Sequence, residues 1–181
     1  MVMGKRSVLH IILELIVIFG YLVLGITILT FSFQGVPFDR IFIGVLISAT
    51  GMLELTNFFT WKYATKMRSM PLFVAAIMSV ILGFIIVLFR METKVLCYIW
   101  GGFSIAFALA RIFTGAVNLV YQPLMNSIKI VLSITEIIFA ILLMIQQGRI
   151  INSFLVFLGI AYVINASTLF IEFMIHRYQR I

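Results

Sequence analysis

Six long apolar runs separated by short polar links set the pattern of this chain. They cover residues 8–33, 41–61, 70–89, 95–119, 127–145 and 150–175. Each run is continuously apolar and does not alternate as a barrel strand does, so each is read as a helix. A helix needs about 20 apolar residues to cross a bilayer, and every run is near or above that length. The links within successive pairs are short (34–40, 90–94 and 146–149), and Pro37 lies in the first of them. Pro71 and Pro123 fall where one pair gives way to the next, and proline punctuates helices.

A second pattern lies over the first. Gly25, Gly83 and Ala140 occupy matching places in the first, third and fifth runs, spaced by 57 to 58 residues. Gly44, Gly101 and Gly159 match in the second, fourth and sixth, each followed seven positions later by Gly51, Ala108 or Ala166. Repetition at a fixed period sets an architecture before any other feature is read. It predicts an all-α integral membrane protein of six transmembrane helices, one domain over 1–181. Three two-helix hairpins, at about 8–61, 70–119 and 127–175, enter the membrane in the same sense as parallel repeats. A ring of hairpins about a pseudo-threefold axis is the simplest packing. In lipid, helices approach closely through small residues. Ala75, Ser79 and Gly83 at four-residue spacing, and Gly101, Ala108 and Gly115 at seven, are therefore expected contact faces.

Composition removes whole classes of function. The chain is 64% hydrophobic and 10% charged, against about 25% charged in a soluble domain. The six spans leave no stretch to fold as a soluble domain. The net charge of +7 is not a nucleic-acid signal, because the basic residues sit at segment ends in twos and threes. Eight of them (Lys5, Arg6, Lys62, Lys66, Arg68, Lys129, Arg177 and Arg180) fall on the side of the termini, and four (Arg40, Arg90, Lys94 and Arg149) on the other. That places both termini in the cytoplasm of a plasma (inner) membrane protein. Trp61, Tyr63, Tyr121 and Tyr178 fall at the same interface, where amphipathic rings settle. Lys5 and Arg6 ahead of an apolar run imitate a signal peptide, but the run is too long and lacks a cleavage site, so it reads as an uncleaved first helix. Cys97, the single cysteine, reads as a packing residue.

The glycine pattern resembles the HdeD-like family of bacterial six-helix inner-membrane proteins, built on a short repeat of unknown function. The residues that carry the resemblance are Gly25, Gly44 and Gly51, then Gly83, Gly101 and Ala108, then Ala140, Gly159 and Ala166. Family repeats often place a proline in the short link, whereas the second and third links here have none. The resemblance implies the six-helix fold and an association with acid or envelope stress tolerance. It supplies no catalytic or binding residues.

Charge inside the spans is the direct functional clue. Glu14, Glu54, Arg111 and Glu136 lie well inside segments, with Lys129 and Glu172 nearer the ends. A charge at a helix centre costs roughly 2.5–3.5 kcal/mol on insertion scales, so such groups turn inward and pair. Glu54 and Arg111 each follow their hairpin's glycine by ten residues, with Leu169 third; Glu14 and Lys129 likewise align, with Leu72 between. Opposite charges at equivalent positions share a depth and can meet. All six fall in the middle or cytoplasmic half, which predicts a polar vestibule open to the cytoplasm and closed outside. Glu14, Glu54, Arg111, Lys129 and Glu136 are the candidate binding or proton-relay residues, with Asn57, Asn118 and Asn165 able to join them.

No H-E-x-x-H, C-x-x-C, G-x-S-x-G or phosphate-cradling motif occurs. His10 and His176 read as interfacial residues, and Met67 with Met70 is only a weak copper pattern. The expectation is a non-enzymatic protein without cofactors, whose partner is the bilayer. A small transporter or channel for protons or a small solute stands as one alternative. The other is an accessory subunit that forms a homo-oligomer or docks a larger membrane complex.

Overall fold

The computed structural model describes residues 8–34, 39–60, 70–119, 123–146 and 150–178, leaving the side chains of Val8, His10, Thr60, Met125 and residues 175–178 undescribed. Six helices follow one another: α1 (Val8–Gln34), α2 (Arg40–Thr60), α3 (Met70–Leu88), α4 (Thr93–Asn118), α5 (Pro123–Gln146) and α6 (Ile151–Tyr178). All six contain a stretch long and apolar enough to cross a membrane. Their outward faces carry exposed Phe19, Val45, Val74, Phe84, Phe113 and Ile138, side chains that suit lipid and not water. The fifth helix begins four residues earlier than the sequence pattern suggests. Pro123 is its first residue, a position where the missing N–H costs nothing because no helical partner exists for it.

Each helix packs on its chain neighbours and α6 returns to pack on α1, so the order is circular. The seams are unequal. α2 with α3, α4 with α5, and α6 with α1 are extensive, while α1 with α2, α3 with α4 and, least of all, α5 with α6 touch more thinly. The intimate contacts therefore join one hairpin to the next, where the sequence suggests the hairpin itself as the unit.

The small residues explain this. A Cβ added at Gly44 would lie 2.7 Å from the Gly83 carbonyl oxygen, one at Gly101 would lie 3.0 Å from that of Ala140, and one at Gly25 would lie 2.9 Å from that of Gly159. These three pairs bring the matching glycines of the even helices against the matching small residues of the odd ones. Further along α2, a Cβ at Gly51 would lie 2.7 Å from the Ala76 oxygen. Contacts that climb along α2 as they descend along α3 mark antiparallel helices. Backbones this close gain dispersion contact and admit hydrogen bonds across the seam. Ser79 Oγ donates to the Ile47 carbonyl at 2.7 Å, and Ser48 Oγ reaches that of Val80 at 3.4 Å.

One expected face needs correction. Ala75 is only half-buried, and the buried side of α3 runs through Ala76, Ser79, Gly83 and Ile86. Four-residue steps overshoot the 3.6-residue turn, so the seam follows alternating steps of three and four. Gly101, Ala108, Gly115, Gly159 and Ala166 are all buried as expected.

The two ends of the bundle differ. At the end where α1 finishes and α2 begins, here called the cap, a continuous apolar cluster fills the interior. Ile28, Ile86 and Leu143, each three residues after its helix's small residue, are fully buried, as are Ile43, Trp100 and Leu158 to within 3%. Trp100 meets Phe154 edge-on with centroids 4.8 Å apart. Cys97 is packed into this cluster. The opposite end, the base, is where α1 begins and α6 finishes.

Candidate functional site

All six helices contribute to a polar cavity in the base half. Arg111 lies at its centre on α4. Its two terminal nitrogens donate to different helices: Nη2 to Glu54 Oε1 on α2 and Nη1 to Glu136 Oε2 on α5, each at 3.1 Å. The Arg111 side chain is 12% exposed, and those of Glu54 and Glu136 are 7% and 8%, so the cluster is desolvated. The Phe107 ring, one helical turn earlier, lies 4.5 Å beneath the guanidinium carbon and adds a cation–π contact. The three charges lie roughly 10–20 Å along their helices from the base ends, by the 1.5 Å helical rise.

Charges within the spans were expected to turn inward and pair, and Arg111 holds both Glu54 and Glu136. Equivalent positions in successive hairpins do meet, as Glu54 and Arg111 show. Lys129 Nζ pairs with Glu172 Oε1 at 3.6 Å, joining α5 to α6 in the most thinly packed seam. Glu14 is half-buried and is not among the residues that line the cavity.

The cavity has a volume of about 80 Å³, and its walls combine Glu54, Arg111, Lys129 and Glu136 with Asn57, Asn118, Asn126 and Asn165. A void of that size holds several waters, since one needs roughly 10–15 Å³ by the same measure. Asn126 Nδ2 donates to the Asn118 carbonyl oxygen at 2.8 Å and ties α5 to α4 near the base. On the far side Tyr21 is buried to 1% exposure and lines the same space. Its hydroxyl faces Glu54 without meeting hydrogen-bond geometry. The Tyr21 ring lies 5.7 Å from that of Tyr162, whose hydroxyl shares a 2.7 Å hydrogen bond with Thr50. Beyond these tyrosines the apolar cap begins. A polar cavity thus lies in the half of the bundle where the charged residues of the spans gather.

Tyr21, Thr50, Thr114, Asn126 and Tyr162 were not singled out from sequence. A signal for Tyr21 existed. It lies four residues before Gly25, as Ser79 lies before Gly83 and Glu136 before Ala140. Among the described residues no group of three or more His, Cys, Asp or Glu is arranged to hold a metal ion. His176, His10 and Met67, like the basic and aromatic residues of the links that carried the orientation argument (Lys62, Lys66, Arg68, Trp61, Tyr63, Tyr121 and Arg149 among them), lie outside the described side chains.

Fold and site together define a multi-pass membrane protein of six helices with a polar cavity in one half of the bundle. No family model matches the chain, and neither a curated protein nor a solved structure shows significant similarity to it.

Proposed function

We propose that this chain is a non-enzymatic, six-helix protein of the plasma (inner) membrane that admits a small polar solute or protons into a half-channel open at its base. The observation that carries the reading is the polar cavity in the base half, lined by Arg111 between Glu54 and Glu136, with the apolar cluster around Ile28, Ile86 and Leu143 filling the other half of the bundle. A buried ion pair alone would fix helix register without a void beside it. Here the charged groups line a space with room for a solute, and amide side chains continue the polar wall toward the base. Both termini and the cavity mouth face the cytoplasm in this reading, by the excess of Lys and Arg on that side.

The HdeD-like resemblance supports a place among small bacterial envelope proteins linked to acid or envelope stress. A cavity that exchanges protons or a small solute with the cytoplasm is compatible with that role. The close Gly44–Gly83, Gly101–Ala140 and Gly159–Gly25 pairs support reading the chain as three copies of one hairpin. For an accessory or self-associating role, the exposed side of α4 offers Gly102, whose Cα has open space around it, with Ala106 one turn on. That spacing lets a second copy of the chain pack closely.

Substituted-cysteine accessibility tests the half-channel. With Cys97 replaced by Ala, Leu132→Cys in the cavity wall should react with a charged, membrane-impermeant thiol reagent from the cytoplasmic side only. Leu143→Cys in the cap should react from neither. An unreactive Leu132→Cys in correctly inserted protein means that water does not reach the cavity, and the proposal is then wrong.

A further inference from the structure

We infer that the cavity binds a small monovalent cation bearing N–H donors, of ammonium to short primary-amine size. The inference rests on the half-channel reading above and adds the chemistry of the occupant. Charge is the first observation. With all groups ionised, Glu54 and Glu136 outweigh Arg111 by one negative charge, and Lys129 is already offset by Glu172. A low-dielectric interior amplifies that imbalance. Arg111 has both terminal nitrogens committed to carboxylates, so it offers little to an anion.

An unmatched acceptor is the second and independent observation. Asn118 is buried to 2% exposure and lines the cavity. Its Nδ2 donates to the Thr114 carbonyl at 2.8 Å. A carbonyl can only accept, so the amide orientation is fixed and Oδ1 is the remaining atom. That oxygen is buried without a hydrogen bond among the described residues, and so is Thr114 Oγ1 one turn earlier. A buried acceptor without a donor is costly. An alkylammonium head supplies three donors, which the Asn118 amide oxygen and the Thr114 hydroxyl can accept, while the carboxylates about two helical turns deeper attract it by their charge. Leu72, Phe58 and Leu169 give the same space apolar walls for a tail of one or two carbons. A hard divalent ion would ask for six or more oxygen ligands with several carboxylates, a set absent among the described residues.

The test uses the full chain in nanodiscs of neutral lipid. Thermal unfolding is read by thiol-dye labelling of buried Cys97, at constant ionic strength, as methylammonium chloride replaces tetramethylammonium chloride. Methylammonium should raise the midpoint in a saturable manner, while tetramethylammonium, with equal charge and no N–H, should not. Asn118→Leu should weaken the apparent affinity about tenfold, the loss of one hydrogen bond to a charged donor. Asn118→Asp, which adds negative charge at the same place, should strengthen it at least threefold and reports even where the leucine variant is too unstable to measure. Equal shifts with tetramethylammonium or sodium, or a shift that follows pH alone, overturn the N–H cation. The Leu132→Cys reaction separates the two levels of failure. If it reacts and methylammonium has no effect, the occupant is wrong and the half-channel stands; if it does not react, both fall.

Discussion

Removing carboxylates from the Arg111 cluster one at a time should reveal a strongly non-additive cost. The attraction between Arg111 and each glutamate, with charges roughly 4 Å apart at an effective dielectric of about 20, is worth about 4 kcal/mol. The two carboxylates flank one guanidinium, so they repel each other from roughly 6–7 Å with about 2.5 kcal/mol. Glu54→Gln gives up the first quantity and gains relief from the second, a net loss of about 1.5 kcal/mol, and Glu136→Gln behaves alike. The double variant has no repulsion left to relieve and strands a buried guanidinium, losing about 5–6 kcal/mol. The excess over the sum of the singles equals the relieved repulsion, about 2.5 kcal/mol. The chain supplies its own probe. Cys97 is its only cysteine and is fully buried in the cap, so a dye that fluoresces on reacting with thiol reports unfolding directly. For a chain of this size each kcal/mol moves the midpoint by about 2–4 °C. The singles should fall by about 3–6 °C and the double by about 10–20 °C. Additive losses would refute the picture of two carboxylates sharing one cation.

Other outcomes follow from the same geometry. Gly44→Val should disrupt the α2–α3 seam and lower stability by several kcal/mol, because its Cβ would press on the Gly83 carbonyl; Gly102→Ala, with open space around it, should be neutral or slightly stabilising in the same thermal assay. Tyr162→Phe removes the 2.7 Å bond to Thr50 and should cost about 0.5–1.5 kcal/mol. Lys129→Gln should cost about 1 kcal/mol or less, since its pair with Glu172 is 3.6 Å long and a fifth of the lysine side chain is exposed. Single cysteines at positions 38 and 148 should label from outside the cell and one at 65 only from inside; the reverse pattern would invert the topology.

The six spans were legible because continuous apolar runs of this length have few alternatives in a membrane. Glycines spaced by 57 to 58 residues also pointed to helix contacts, since a backbone can approach another only where side chains vanish. Which helices those contacts join was not legible. A glycine says that something comes close, not what, and Gly44 turned out to meet Gly83 across the boundary between hairpins. The α3 face was misassigned by one residue, at Ala75 in place of Ala76, because spacing by four drifts around a real helix. Arg111 could be paired from sequence because an intramembrane guanidinium demands a carboxylate. Tyr21, Thr50 and Tyr162 could not, because hydroxyl-bearing residues are unremarkable in apolar helices until tertiary structure brings them together.

The circular packing order carries a consequence for biosynthesis. α2 with α3 and α4 with α5 are neighbours along the chain, so each of these close pairs can form as soon as its second helix leaves the translocation machinery. The third close pair is α6 with α1, the two of these six helices that are farthest apart in the order of synthesis. Until α6 is made, the Gly25 face of α1 lacks its partner, and the cavity lacks the wall that Ala161 and Asn165 provide. During that interval Glu54 and Arg111 can already neutralise each other, and Glu136 joins them one helix later. Assembly of the charged cluster thus precedes closure of the ring, and a nascent chain stalled before α6 would expose its polar interior to lipid, the kind of defect that membrane quality control removes.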